Sequence, residues 1–387
     1  MNGTSARSDG DGDGNQDGRG LVHEIAYRAE QAWEWARARF AGPPERLTVV
    51  PYLAHGTSER VIARGRVLTN RPVVAASGPE AWWQRVKRMY RRFATDEVPG
   101  VELRLRLGRA VAEATTDDEG YYRAVLTAPG VDTASSVHEM IVEVVDPPED
   151  TPVEVLEARA MIPAATSTRM LVSDIDDTVL QSGAMRTAEL ILTTATGSAF
   201  TRSWFPGVAE LYRGLTGGTE HTPANPVVYV SSSPWNLYDF LTAFIRRSAL
   251  PDGPLFLRDL GVDADRFVKG SHSEHKRAAI DEILDTYDLP LVLSGDTGQH
   301  DPEIYRDVAD AHPGRIEAVL LRHVAGDARK AEVEAMWEGS GVMVAVADTS
   351  TELARVAADA GLIPPDEVDR VRDAETRTHQ RLVPLDD

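Results

Sequence analysis

The 387-residue sequence predicts an α/β fold in which an open, Rossmann-like parallel sheet follows a smaller, β-rich, sandwich-like domain. Two patterns carry that expectation. Between about residues 46 and 165, short runs rich in Val, Leu and Thr, such as "GVELRLRLG" and "SSVHEMIVEVVDPP", are punctuated by Gly, Pro and Asp, as in strands joined by turns. From about residue 167, near-continuous apolar runs ("MLVSD", "PVVYVSS", "LPLVLSGD", "IEAVLLRHV", "GVMVAVAD") alternate with helical stretches such as "EHKRAAIDEILDTYD". Strands that are apolar throughout, with helical crossovers, indicate a parallel sheet covered on both faces. The length suits about two domains, each with a core of its own.

Each segment has its own justification. Residues 1–20, Gly/Asp-rich and nearly free of apolar side chains, cannot offset the entropy of ordering and read as a disordered tail. Over 21–45, Val22, Ile25, Ala29, Trp33, Ala36 and Phe40 recur at helical spacing, which predicts an amphipathic helix. The β-rich domain spans 46–165 and is interrupted by a helix over 79–95; within it "TTDDEGYYRAVL" reads as two strands around an acidic turn. The parallel-sheet domain spans 166–365, and 366–387 reads as a C-terminal tail.

Composition narrows the functional classes. A formal charge of −20 argues against a nucleic-acid binder, since phosphate neutralisation needs clustered Lys and Arg. No apolar run reaches the roughly 18 residues of a membrane span, and the N-terminus lacks the pattern of a secretory signal, so the expected location is cytoplasmic. With no cysteine, any metal is held by oxygen or imidazole, which favours ions like Mg2+.

Three strand-end loops are polar beyond what packing requires. The first reads Asp174-Ile175-Asp176-Asp177-Thr178; the second reads Ser231-Ser232-Ser233 before a helix opened by Pro234; the third reads Ser294-Gly295-Asp296 and runs through "TGQHD" to Asp301. Lys276 opens the helix before the third strand. Ligands of such sheets bind at the carboxyl ends of strands. Carboxylates with one divalent cation make a seat for a phosphate dianion, while a hydroxyl, exposed backbone N–H groups and a lysine hold its other oxygens.

In this order the motifs resemble the haloacid dehalogenase superfamily of phosphotransferases: "LVSDIDDT", then Ser231 in "VVYVSSS", then Lys276, then "GDTGQHD". More narrowly, "SDIDDTVLQSG", "YVSSSPWNLYDFL" and "LSGDTGQHDPEIY" look like the catalytic domain of the actin-patch-type phosphatidate phosphatases and their bacterial relatives, over roughly residues 165–330. The resemblance implies a haloacid-dehalogenase-like domain with Asp174 as the nucleophile that forms an aspartyl-phosphate and Asp176 as the acid/base. Ser231, with Ser232 beside it, and Lys276 would hold phosphoryl oxygens. Mg2+ would bind Asp174, the backbone carbonyl of Asp176 and Asp296, with Asp301 as a further ligand or one shell out. A carboxyl two positions after the nucleophile favours hydrolysis.

Plainer readings stand beside these. An acidic turn after a strand is commonly a solvated loop, and Ser231–Ser233 alone would be a helix cap. An EF-hand loop fails, because Thr178 and Val179 stand where an acid or amide and then Gly are needed. Lys269 is a nearby alternative to Lys276, His272 and His275 are spaced as surface groups or metal ligands, and His300 lies where substrate contact is possible. Trp204 and Phe205 are rim or core residues. On helix 79–95, Trp82, Val86, Met89, Tyr90 and Phe93 share one face while Arg85, Arg88 and Arg92 gather positive charge. That suits peripheral contact with an anionic membrane, and equally a helix packed on its neighbours. The resulting expectation is a Mg2+-dependent phosphatase converting phosphatidate to diacylglycerol, against two alternatives: action on a soluble phosphomonoester, and a non-catalytic lipid- or protein-binding module.

Overall fold

The computed structural model describes residues 46–69, 97–175, 206–217, 224–258 and 272–382. The expected tail at 1–20, the helices at 21–45 and 79–95, and Asp176, Trp204, Phe205 and Lys269 lie outside these residues. The described residues within Arg46–Pro147 and Val153–Asp387 form one compact unit.

Its first part is β-rich. The strands are β1 (Leu47–Pro51), β2 (Ala54–Gly56), β3 (Arg60–Leu68), β4 (Glu102–Leu107), β5 (Ala110–Thr115), β6 (Tyr121–Thr127), β7 (Val137–Val144), β8 (Val153–Val155) and β9 (Ala158–Met161). They run in the order β5-β4-β7-β9-β2-β3-β1-β8, with β6 on β3. Pairing is antiparallel apart from β1 with β8 and β2 with β9. Between β5 and β6, Asp117 Oδ1 accepts the N–H groups of Glu119 and Tyr121, and Gly120 supplies the left-handed residue that closes the turn.

The second part alternates strands and helices: β10 (Met170–Asp174), α1 (Val208–Thr216), β11 (Val227–Pro234), α2 (Tyr238–Arg247), β12 (Leu255–Arg258), α3 (His272–Thr286), β13 (Leu291–Asp296), α4 (Asp301–Ala311), β14 (Ile316–Arg322), α5 (Asp327–Trp337), β15 (Met343–Ala347), α6 (Ser350–Asp359) and α7 (Glu367–Leu382). The six strands are all parallel, in the order β12-β11-β10-β13-β14-β15. From β10 the chain builds outward through β11 and β12, then returns to add β13 on the other side. The crevice between β10 and β13 is therefore the point where strand order reverses, the place where such sheets bind ligands.

Continuous apolar strands follow from two cores. Leu171, Tyr229, Val292 and Leu320 face one, shared with α1, α2, α6 and α7. Met170, Val228, Leu293 and Val319 face the other, shared with α3, α4 and α5. Two features depart from the sequence reading. The short edge strand β12, "LFLR", has no signature in the sequence, because four residues after a proline carry little periodicity. The segment read as a C-terminal tail contains α7, whose spaced Val371 and Ala374 are buried although most of the helix is polar.

The β-rich strands join this architecture directly. Val50, Tyr52 and Leu68 belong to the same core as Leu171 and Tyr229. Tyr52 stacks on Tyr238 and Trp235, with ring centroids 3.7 and 5.4 Å apart, and Leu53 N–H donates to the Tyr238 hydroxyl at 2.7 Å.

Candidate active site

Asp174 ends β10, Asp296 ends β13 and Asp301 opens α4, so the parallel pairing of β10 with β13 brings the first and third polar loops together. Lys276 reaches them from the second turn of α3. Its Nζ lies 2.9 Å from both Asp174 Oδ1 and Asp301 Oδ1, and all three side chains are buried. A lysine so enclosed persists as a cation only because carboxylates surround it.

Asp301 is committed on both oxygens. Oδ1 accepts from Lys276 and Oδ2 from the backbone N–H of Asp296 at 3.3 Å. That approach explains Gly295, because a Cβ there would fall 2.3 Å from Asp301 Oδ2 and 2.9 Å from the Tyr305 hydroxyl. The Asp296 carboxylate is aimed by its own loop, its Oδ1 accepting the N–H of Gly298 at 2.6 Å. Burial pushes the Asp296 carboxyl above its ordinary pKa; the Gly298 N–H opposes this, Asp301 adds to it, and Lys276 opposes it again.

The second loop differs in detail from the sequence reading. Strand β11 runs through Pro234, and a single 3-10 turn, Trp235–Leu237, precedes α2. Ser231 Oγ accepts the N–H of Ser233 at 3.1 Å, a local turn in place of a helix cap. Ser231, Ser232 and Ser233 are all buried. His275, the residue before Lys276, places Nε2 3.2 Å from the Ser231 carbonyl, so α3 touches all three loops. His300 is exposed at the N-cap of α4.

Sequence reasoning overlooked a hydroxyl network beneath the acids. Tyr212 OH bonds Ser173 Oγ at 2.8 Å and Ser294 Oγ at 2.9 Å, tying β10 to β13 one residue short of the acidic end of β10. Tyr305 OH donates to the Ser294 carbonyl at 3.0 Å. Burial raises both phenol pKa values, keeping them as neutral donors. The only available signal was serine inside two apolar strands, which needs a partner.

The oxygen-rich donor set suits a hard cation. Two buried carboxylates, Asp174 and Asp301, meet one lysine, and the raised pKa of Asp296 beside them marks a group that a cation would relieve. Among the described residues, no three Asp, Glu or His side chains are grouped to hold a metal, and no helix is long and apolar enough to cross a membrane.

Comparison with known proteins covers the segment that carries these residues. Residues 169–323 match the family described as "Phosphatidate phosphatase APP1, catalytic domain". An uncharacterized protein of Schizosaccharomyces pombe is 26% identical over 160 residues, covering 41% of this chain and 25% of that protein. Phosphatidate phosphatase APP1 of Saccharomyces cerevisiae is 30% identical over 162 residues, covering 39% of this chain and 25% of the yeast protein. The chain thus spans about a quarter of the length of these relatives. The matched segment contains Asp174, Ser231, Lys276, Asp296 and Asp301, and the resemblance read from the motifs holds over it.

Proposed function

We propose that this protein is a haloacid-dehalogenase-like, Rossmann-type phosphatase that hydrolyses phosphatidate to diacylglycerol through an aspartyl-phosphate on Asp174. The observation that carries the reading is the buried Lys276 bridging Asp174 and Asp301 at the β10/β13 crevice, beside Asp296, within the segment that matches the phosphatidate phosphatase family.

Lys276 orients Asp174, and its remaining donor capacity meets a phosphoryl oxygen. Asp174 attacks phosphorus while the bond to the lipid oxygen breaks, and Asp176 gives its proton to that oxygen. Water then attacks the acyl-phosphate, returns a proton to Asp176 and leaves inorganic phosphate with Asp174 free. Ser231 and Ser232 line the phosphoryl seat. Asp174, the Asp176 carbonyl and Asp296 would hold Mg2+, which would supply neutralisation of the phosphoryl charge. Both oxygens of Asp301 are engaged by Lys276 and the Asp296 N–H, which supports an organising role for it over direct ligation.

The test is phosphate release from phosphatidate in vesicles and from a panel of soluble phosphomonoesters, with and without Mg2+. Mg2+-dependent hydrolysis of phosphatidate is expected; turnover of soluble esters alone would reject the lipid substrate, and none on any ester would leave the binding-module alternative. If contact with the anionic membrane runs through segment 79–95, replacing Arg85, Arg88 and Arg92 with Glu weakens vesicle binding and spares nitrophenyl phosphate hydrolysis. Asp176→Asn should cost about 100- to 10,000-fold on an alkyl ester and less on nitrophenyl phosphate, whose leaving group needs little protonation.

A further inference from the structure

Arg329, on α5, lies beyond the family-matched segment 169–323 and grips the loop that follows Asp296. Its Nε donates to the Thr297 carbonyl at 3.3 Å and its Nη2 to the Gln299 carbonyl at 3.1 Å. Glu303 on α4, 2.7 Å from Nη2, and Glu332, 3.1 Å from Nη1, hold the guanidinium in that pose.

The Thr297 carbonyl and the Gly298 N–H are the two ends of one peptide group. A trans peptide is planar, so they point in opposite directions. That N–H is the one that aims Asp296 Oδ1. Arg329 therefore holds the far side of the plane whose near side holds the carboxylate. A cation on the carbonyl also polarises the amide and strengthens its N–H as a donor. The same loop is pinned from β14, where Thr297 N–H donates to the Arg322 carbonyl at 3.0 Å and Thr297 Oγ1 lies 3.1 Å from His323 Nδ1. Gly298 leaves no slack, since a Cβ there would lie 2.9 Å from Val324 Cγ2 and 3.1 Å from Asp296 Oδ1.

We infer that Arg329 is a positioning residue for Asp296, fixing the Thr297–Gly298 peptide so that the carboxylate stays aimed at the cation. This rests on the phosphatase reading above for the identity of that cation. Outer residues that orient a metal-binding carboxylate typically set metal affinity or activity by about 10- to 100-fold.

The experiment is calorimetric Mg2+ titration of the full chain, with melting temperature as a check on folding and Mg2+-dependent activity alongside. Arg329→Gln should weaken Mg2+ binding by about 10- to 100-fold, with kcat at saturating Mg2+ largely retained. Arg329→Lys should fall between, because a point charge holds one carbonyl where the planar fork holds two. Lys330→Gln, which removes one positive charge from the same helix at a side chain that reaches Asp348 instead, should bind Mg2+ as the wild type does. A folded Arg329→Gln or Arg329→Lys protein with wild-type Mg2+ affinity would overturn the inference, as would Mg2+ binding that is indifferent to Asp296→Asn. A wild type that binds Mg2+ through Asp296 yet hydrolyses no phosphomonoester would overturn the phosphatase reading and leave the role of Arg329 standing.

Discussion

Strand β4 and strand β10 show two ways of placing polar residues in a sheet. In β4, "ELRLRL", Leu103, Leu105 and Leu107 are buried and the arginines between them face outward. Arg104 and Arg106 meet Glu113 and Glu143 of the neighbouring strands at 3.1 and 2.5 Å, with solvent around both pairs. In β10, "MLVSD", both faces are covered, and Ser173 and Asp174 are enclosed with specific partners. Charge on a one-sided sheet is ordinary surface. Charge at the end of a two-sided sheet costs desolvation unless it is matched, so its presence marks a site.

The sharpest test of that contrast is to break one ion pair beside each sheet. Asp301→Ala should destabilise the fold by about 3–5 kcal/mol, toward the lower figure because Asp174 still holds Lys276. Urea unfolding with the circular dichroism signal as readout measures this, and a cost near zero would make the enclosed cluster energetically ordinary.

Next in size is acid sensitivity where the two regions meet. His55, on β2, is buried against Phe256 of β12, with Nδ1 3.3 Å from the Tyr287 hydroxyl. Burial first, then Arg64, Arg123 and Arg60, lower its pKa to about 3 from 6.5. The unfolded chain then binds the proton more readily, so His55 should subtract stability progressively as pH falls from about 6.5 toward 3. His55→Gln should flatten that part of the curve, and an unchanged slope would place the acid sensitivity elsewhere.

Tyr52→Leu keeps an apolar side chain but removes the stacking on Tyr238 and Trp235. Each ring pair contributes about 0.5–1.5 kcal/mol beyond buried area, and the loss should appear as one cooperative transition at lower denaturant. Two separated transitions would instead show the β-rich strands and the parallel sheet unfolding independently. The smallest effect belongs to Glu113→Ala, the exposed counterpart of Asp301, which should change stability by less than about 1 kcal/mol.

Much of the parallel sheet was legible because two-sided burial writes itself as unbroken apolar runs; β10, β11, β13, β14 and β15 each coincide with one. The acids and Lys276 were legible because nothing in packing calls for them at strand ends. What stayed hidden depends on chain segments far apart in sequence. Tyr212 and Tyr305 look like core aromatics until their hydroxyls meet Ser294, and Arg329 looks like a surface arginine until its guanidinium meets the Thr297 carbonyl. The polar α7 was hidden for the same reason, since only a thin stripe containing Val371 and Ala374 reaches the core.

The most direct measurement is phosphate release from phosphatidate vesicles in Mg2+ by the wild type and by Asp174→Asn, with melting temperatures recorded for both. The expected result is turnover by the wild type and none by the variant, with both proteins folded, because the variant loses its nucleophile while Lys276 keeps Asp301. Near-normal turnover by Asp174→Asn would contradict covalent catalysis at the β10/β13 crevice.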